Sequence, residues 1–174
     1  MKTLLQALRL LAVLTVLTGV LYPLAVTVAA RLLFPDCAEG SLLLRHGKPV
    51  GSELLAQRFE NPRYFWPRPS AGNGVASHLG PTHSLLRKAV AERREKFGAG
   101  APVEMLTASG SGLDPHISPE AALQQAARVA VARGLSPEEV ARLVDALAEP
   151  PQFGIFGEPR VNVLFLNLLL DEIK

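Results

Sequence analysis

Within eight residues, Ser109, Ser111, Asp114 and His116 collect a nucleophile, an acid and a base, the residue types from which acyl-transfer triads are assembled. Their spacing does not build one. Residues so close in sequence seldom converge as a triad, and Ala108-Ser109-Gly110-Ser111-Gly112 does not supply the Gly-x-Ser-x-Gly elbow that exposes a nucleophile on a sharp turn. The run reads as a Gly-rich turn, Ser109 to Pro115, that fixes the entry into the following helix. His78, His83 and His116 with Asp114 have no pair at the spacing of a compact helical metal site, and no cysteine assists them. The same glycines lack the Lys-Ser or Lys-Thr that follows a phosphate-binding loop, so the segment is not a nucleotide-hydrolysing one. Arg68 with Tyr64, Phe65 and Trp66 forms an aromatic and cationic cluster. It fits a packed loop and a partner-binding surface equally, because aromatics and arginine are both enriched at interfaces. Cys37 is the only cysteine, which excludes an intramolecular disulfide.

The elements that must carry these residues are legible in part. Residues 41–45, with Leu42, Leu43 and Leu44, read as a short strand, and 47–49 as a turn. Residues 61–84, rich in Pro, Gly, Ser and Asn, hold no period and read as an ordered loop; a loop this long usually has a function. Leu85, Leu86, Ala89, Val90 and Phe97 recur at helical spacing within 81–97, opposite Arg87, Glu92, Arg93, Arg94 and Lys96, which predicts a surface helix. Val103 to Thr107 is a candidate strand.

Ser118-Pro119-Glu120 is a helix start with an N-cap, a proline in the first turn and an acid, and Gly134 is its stop. Ser136-Pro137-Glu138-Glu139 repeats the start with a capping box. The two helices should form a hairpin around Ala122, Ala126, Val129, Ala130, Val140, Leu143, Val144 and Leu147. Gln152 to Phe156 is a further strand candidate. Asn162 is placed to cap a last apolar helix from Val163 to Ile173, although 161–165 also reads as a strand. The fold class is α+β with helices dominant.

At the front of the chain, the 21 residues from Leu10 to Ala30 carry no charge, and as a helix they reach about 31 Å, the thickness of a hydrocarbon core. Leu10 to Leu33 is therefore the expected transmembrane helix, with a kink near Pro23. A cleaved signal peptide is the competing reading, but the apolar stretch is too long and lacks a polar region before Val28-Ala29-Ala30. The C-terminal apolar run between Arg160 and Asp171 is only about ten residues, roughly 15 Å of helix, too short for a second span. Lys2 and Arg9 precede the span, so the N-terminus (1–9) should stay cytoplasmic and residues 34–174 should form one soluble domain in the periplasm. Setting aside Lys2, Arg9 and Arg31 from the 18 basic residues leaves 15 against 16 acids. The outer domain is thus near neutral and has no nucleic-acid footprint.

Long ordered blocks then carry a specific resemblance. Gly51-Ser52 with Gln57 and Phe59, Asn61-Pro62 with Tyr64-Phe65 and Arg68-Pro69-Ser70-Ala71, Leu79-Gly80-Pro81, and Thr107 through Pro119 resemble successive blocks of the C subunit of the Kdp potassium-transporting P-type ATPase. Arg128-Val129-Ala130, Ala132-Arg133-Gly134-Leu135, Gly157-Glu158-Pro159-Arg160-Val161-Asn162-Val163-Leu164, Leu166-Asn167-Leu168 and Asp171 continue the likeness, which covers the whole chain. One departure lies at residues 73–78, where the family usually has a serine- and glycine-rich stretch ending in asparagine.

The resemblance implies an accessory subunit of a bacterial inner-membrane potassium pump, needed for its assembly and activity. The implied partners are a channel-like potassium subunit, an ATP-hydrolysing subunit, a small accessory membrane subunit and the lipid bilayer, with no nucleic acid. No catalytic residue, metal or firmly bound cofactor is expected, and the chain has no Asp-Lys-Thr-Gly-Thr phosphorylation motif. Two mechanisms follow. In one, the outer domain sits over the potassium entrance. In the other, the subunit is a catalytic chaperone that raises the ATP affinity of the hydrolysing subunit, with Gln125 and Arg128 as the nucleotide contact. A free-standing single-span periplasmic protein is the third alternative, and it would need a pocket with convergent polar groups. Tyr64, Phe65, Arg68, Ser109, Ser111, Asp114, His116, Glu158 and Arg160 are the interface candidates.

Overall fold

The computed structural model describes residues 2–45, 47–69, 78–98 and 100–173. They separate into two compact units, Met1–Leu42 and Leu43–Lys174.

The first unit is a helix, Lys2–Leu33, of 32 residues, long and apolar enough to cross a membrane. It contains the expected span, Leu10 to Leu33. Two α-helical stretches, α1 (Lys2–Val16) and α2 (Tyr22–Leu33), flank a π-helical turn at Leu17–Leu21, where the Tyr22 N–H reaches the Leu17 carbonyl five residues back. This turn, rather than Pro23 itself, is where the helix departs from regularity. A proline ring in a regular helix collides with the carbonyl four residues earlier, here Gly19, and the widened turn around that glycine relieves the collision. The two hydroxyls in the apolar stretch are satisfied internally, Thr18 on the Leu14 carbonyl and Thr27 on the Pro23 carbonyl, each at 2.7 Å, as a hydrocarbon environment requires. A four-residue helix α3 (Pro35–Ala38) follows, with Cys37 exposed.

The second unit is mixed α and β, in agreement with the expected class. Strands β1 (Leu42–Arg45) and β2 (Lys48–Ser52) pair with each other, so residues 48–49 open a strand instead of completing a turn. Helix α4 (Ser84–Phe97) starts three residues later than its periodicity suggests, because the His83 imidazole caps it by accepting the Leu85 N–H. Leu86, Ala89, Val90, Arg93 and Phe97 form its half-buried seam.

Residues 103–107 are not a strand. They form the short helix α5 (Val103–Leu106), which buries Met105 and Leu106. Its Glu104 carboxylate accepts hydrogen bonds from the Ser118 N–H and hydroxyl, fourteen residues ahead. Strand β3 (His116–Ile117) pairs antiparallel with β4 (Val161–Asn162). Residues 152–156 are also not a paired strand but the tip of a hairpin, closed by single bridges from Glu149 to Arg160 and from Gln152 to Phe156.

Helices α6 (Pro119–Arg133) and α7 (Pro137–Leu147) form the expected hairpin. Ser118 and Ser136 act as N-caps, the capping box to Glu139 is complete, and Gly134 turns left-handed at φ 73°. Asn162 caps α8 (Val163–Glu172) by accepting the Leu164 and Phe165 N–H groups. Residues 161 and 162 thus serve both as strand and as helix entry, which reconciles the two readings of that run.

The core joins Ala122, Ala126, Val129 and Ala130 of α6 to Val140 and Val144 of α7 and Leu166 and Leu170 of α8, with Leu143 and Leu147 packed at its edge. Each fully buried valine or leucine contributes roughly 1.5–3 kcal/mol. Phe65, from the loop, lies at the centre of this core with no exposed surface.

Candidate functional site

Residues 61–69 have no helix or strand, yet their backbone is held in place by side chains reaching in from the helices. Asn167 on α8 makes a two-point clamp on Phe65: its Oδ1 accepts the Phe65 N–H at 2.8 Å, and its amide donates to the Phe65 carbonyl at 3.0 Å. Gln125 on α6 does the same to Trp66, accepting its N–H at 2.8 Å and donating to its carbonyl at 3.1 Å. Each carboxamide supplies the donor and acceptor that a neighbouring strand would have offered, so buried backbone groups are paired without a sheet. Arg128 completes the cradle. Its guanidinium donates to the carbonyls of Pro62 and Tyr64 and to Gln125 Oε1, and it stacks 3.8 Å from the Trp66 ring centroid. Burial pushes the Arg128 pKa down to about 10, which still leaves it charged at neutral pH.

A second network ties the same loop to the end of α8. Asp171 accepts hydrogen bonds from Arg133 at 2.8 Å, the Tyr64 hydroxyl at 3.1 Å and Arg45 at 3.3 Å. Arg133 also donates to the Arg63 and Leu170 carbonyls. Burial alone would raise the Asp171 pKa, but the hydrogen bonds from Arg133 and Tyr64, the charge of Arg133 and the bond from Arg45 together leave it lowered.

The four residues that suggested catalysis are occupied with shaping turns. The Ser109 hydroxyl, buried, accepts the Gly112 N–H, and the Ser111 hydroxyl accepts the Leu113 N–H. Asp114 accepts the His116 N–H on Oδ1 and Arg68 on Oδ2 at 3.0 Å. The imidazole of His116, with Nδ1 3.6 Å from Asp114, does most to hold the Asp114 carboxyl down at about 2; its backbone N–H and Arg68 add to the effect, and burial opposes it. Arg68 donates as well to the Ala108 carbonyl, joining the 61–69 loop to the Gly-rich turn.

Of the interface candidates, the structure therefore brings Arg68, Asp114 and His116 together and buries Phe65 and Ser109. Ser111 is exposed, and Tyr64 is half-buried on Asp171. Glu158 and Arg160 stand exposed on the separate hairpin of residues 149–160. His78 is exposed, while residues 73–77, with Ser70 and Ala71 of the matched blocks, lie outside the described residues.

Beside the cradle, a cavity of about 230 Å³ is lined by Arg58, Trp66, Arg68, Arg93, Lys96 and Phe97 among others. Its charges are largely engaged. Arg58 pairs with Glu60 at 2.5 Å, Arg93 donates to the Leu106 carbonyl, and the Lys96 ammonium sits 4.4 Å above the Trp66 ring. The clamping roles of Asn167, Arg133 and Asp171 escape a reading of local pattern, since each acts on a residue more than thirty positions away. In the sequence they stand as members of the blocks that carry the resemblance, with no local pattern that names their partners.

Comparison with known proteins gives a consistent result. The family described as K+-transporting ATPase, c chain, matches residues 4–172. A protein of Polaromonas naphthalenivorans named potassium-transporting ATPase KdpC subunit is 53% identical over 190 aligned positions, covering 100% of this chain and 97% of its own length. Proteins of the same name are 53% identical in Rhodospirillum rubrum, covering 99% and 96% of the two chains, and 48% identical in Dechloromonas aromatica, covering both chains completely.

Proposed function

Because the chain belongs to the KdpC family, the c chain of a K+-transporting ATPase, we propose that it is an accessory subunit needed for assembly and activity of the pump, with its soluble unit on the periplasmic side near the potassium entrance. The observation that carries this reading is the placing of Lys2 and Arg9 in the first turns of the helix, ahead of the uncharged stretch that begins at Leu10, since basic flanks stay cytoplasmic. The helix then anchors the chain beside the channel-like and ATP-hydrolysing subunits and the small accessory subunit, and the second unit acts by contact rather than by chemistry.

The geometry favours contact over nucleotide binding. Gln125 and Arg128, the residues implied as an ATP contact, direct their polar atoms at the backbone of residues 62–66. Freeing them for a nucleotide would strip partners from the half-buried backbone groups of Tyr64 and Trp66, at a cost below the roughly 1–3 kcal/mol of a fully buried group because water replaces part of each bond. ATP is also cytoplasmic, so a translocated unit never meets it. An influence on ATP affinity would then travel through the assembled membrane region as a coupling energy between sites.

Topology tests the proposal. Cys37, and a cysteine placed at exposed Glu138 in a Cys37→Ser background, are labelled with a membrane-impermeant maleimide on cells with a permeabilised outer membrane. Labelling of both from outside is the expected result. Labelling only after the inner membrane is opened overturns the orientation and makes the nucleotide role of Gln125 and Arg128 the leading reading.

A further inference from the structure

The hairpin of residues 149–160 displays Phe153, Ile155 and Phe156 at 84%, 79% and 66% exposure. They stand at the tip of a loop whose backbone is closed on itself. Glu149 and Arg160 exchange both main-chain hydrogen bonds, and their side chains pair at 2.9 Å. Gln152 accepts from Ile155 and Phe156 and donates to Phe156, and Gly154 donates to Pro151. Pro150, Pro151 and Pro159 stiffen the arms, and β4, which follows directly, pairs with β3. Phe153 is held at φ 55°, a left-handed conformation that is uncommon for a bulky side chain. Strain of this kind persists where the surrounding structure imposes it, and it clusters at functional positions. Here it presents a ring that the second unit does not bury.

We propose that this tip is a preformed plug that docks into an apolar pocket, rimmed by a lysine or arginine, on a partner subunit of the pump; the inference rests on the subunit reading above. Three features select that occupant. Glu158, at the edge of the tip, is exposed and has no hydrogen-bond or ionic partner among the described residues, so a basic rim complements it. Residues 150–159 contain no Lys or Arg to draw the tip to an anionic lipid surface and no Trp or Tyr of an interfacial belt, and Glu158 is repelled by such a surface. The three side chains offer on the order of 400 Å², about half of what one partner buries in a standard interface. That is too little to sustain a dimer of this chain, and it is the size of a central anchor within a larger contact.

The test uses the assembled complex, purified through a tag on another subunit. A benzophenone amino acid is placed at Ile155 and, as control, at Val131, which is 84% exposed on α6. An Ile155 adduct with a single partner subunit and none at Val131 is expected. Replacing Ile155→Asp and Phe156→Asp together should lower the retained fraction of this chain at least about tenfold, the range of an interface hot spot. Glu158→Lys should lower it less, with the deficit shrinking at high salt. Adducts with lipid or with a second copy overturn the proposal, as does undiminished retention of the double variant when its melting curve matches the unsubstituted chain. If the unsubstituted chain itself fails to co-purify, the subunit reading falls and takes the plug with it, whereas loss of the plug alone leaves that reading standing.

Discussion

Two aromatic segments of the second unit, residues 64–66 and residues 153–156, begin from similar material and end in opposite places. Both are short, flanked by prolines and outside the named helices and strands. Phe65 is fully buried, whereas Phe153 is the most exposed aromatic of the unit. The difference lies in who satisfies the backbone. The first segment cannot pair with itself and borrows donors and acceptors from Gln125, Arg128 and Asn167, which draws it into the core. The second closes its own hydrogen bonds and needs nothing from the rest of the unit, so its side chains remain available. Burial of an aromatic thus depends here on whether its peptide groups find partners inside, as much as on its hydrophobicity.

The comparison breaks most visibly at Asn167. Asn167→Leu leaves the buried N–H and carbonyl of Phe65 without partners, at about 1–3 kcal/mol each, so a loss of about 3 kcal/mol is expected in the thermal melt of the detergent-purified chain. Trp66 is the only tryptophan, and its fluorescence reports on this loop directly. Gln125→Ala should cost less, about 2 kcal/mol, because Trp66 is only half-buried and water can replace part of the clamp. An emission shift to longer wavelength in the folded protein would show the ring released.

Acid provides a smaller effect. The Asp114 carboxyl sits at about 2 in the folded protein, below the ordinary value near 3.9. Its contribution is complete above about pH 4 and is lost as the pH falls from there through about 2. With its side chain 32% exposed, screening reduces the contribution to on the order of 1 kcal/mol. The stability difference between Asp114→Asn and the unsubstituted chain, from urea unfolding at pH 6 and at pH 2.5, should shrink at the lower pH by more than half of that amount. The smallest effect sharpens the contrast from the other side: Ile155→Ser and Phe156→Ser should change stability by no more than about 0.5 kcal/mol, in the same melts that register Asn167.

What the sequence made legible follows the range of the interactions involved. The spanning length, the caps at Ser118, Ser136 and Asn162, the stop at Gly134 and the core of the α6–α7 hairpin are local patterns, and all are present. Residues 103–106 read as a strand from their short apolar run, but Glu104, Met105 and Leu106 are good helix formers, and the helix they form is tied to Ser118 through Glu104. Within the candidate site, the Gly-rich turn from Ser109 to Pro115 was readable from its composition, and the Asp114 bond to the His116 N–H was not. Arg68, which joins them from 46 positions away, was visible only as a charged residue among aromatics. Phe65 was equally at home in an interface or a core until the clamp on its backbone was seen.

The π-helical turn at Leu17–Leu21 has a geometric consequence for whatever surrounds the anchor. One residue added to a helical turn sets every later side chain back by about 100° relative to an uninterrupted helix. The stripe that α1 offers along one side is therefore not continued by α2, whose corresponding stripe emerges about a quarter of a circumference away. A straight neighbouring helix can follow one half of the anchor but not both. The faces that the helix presents before and after the turn are thus differently oriented.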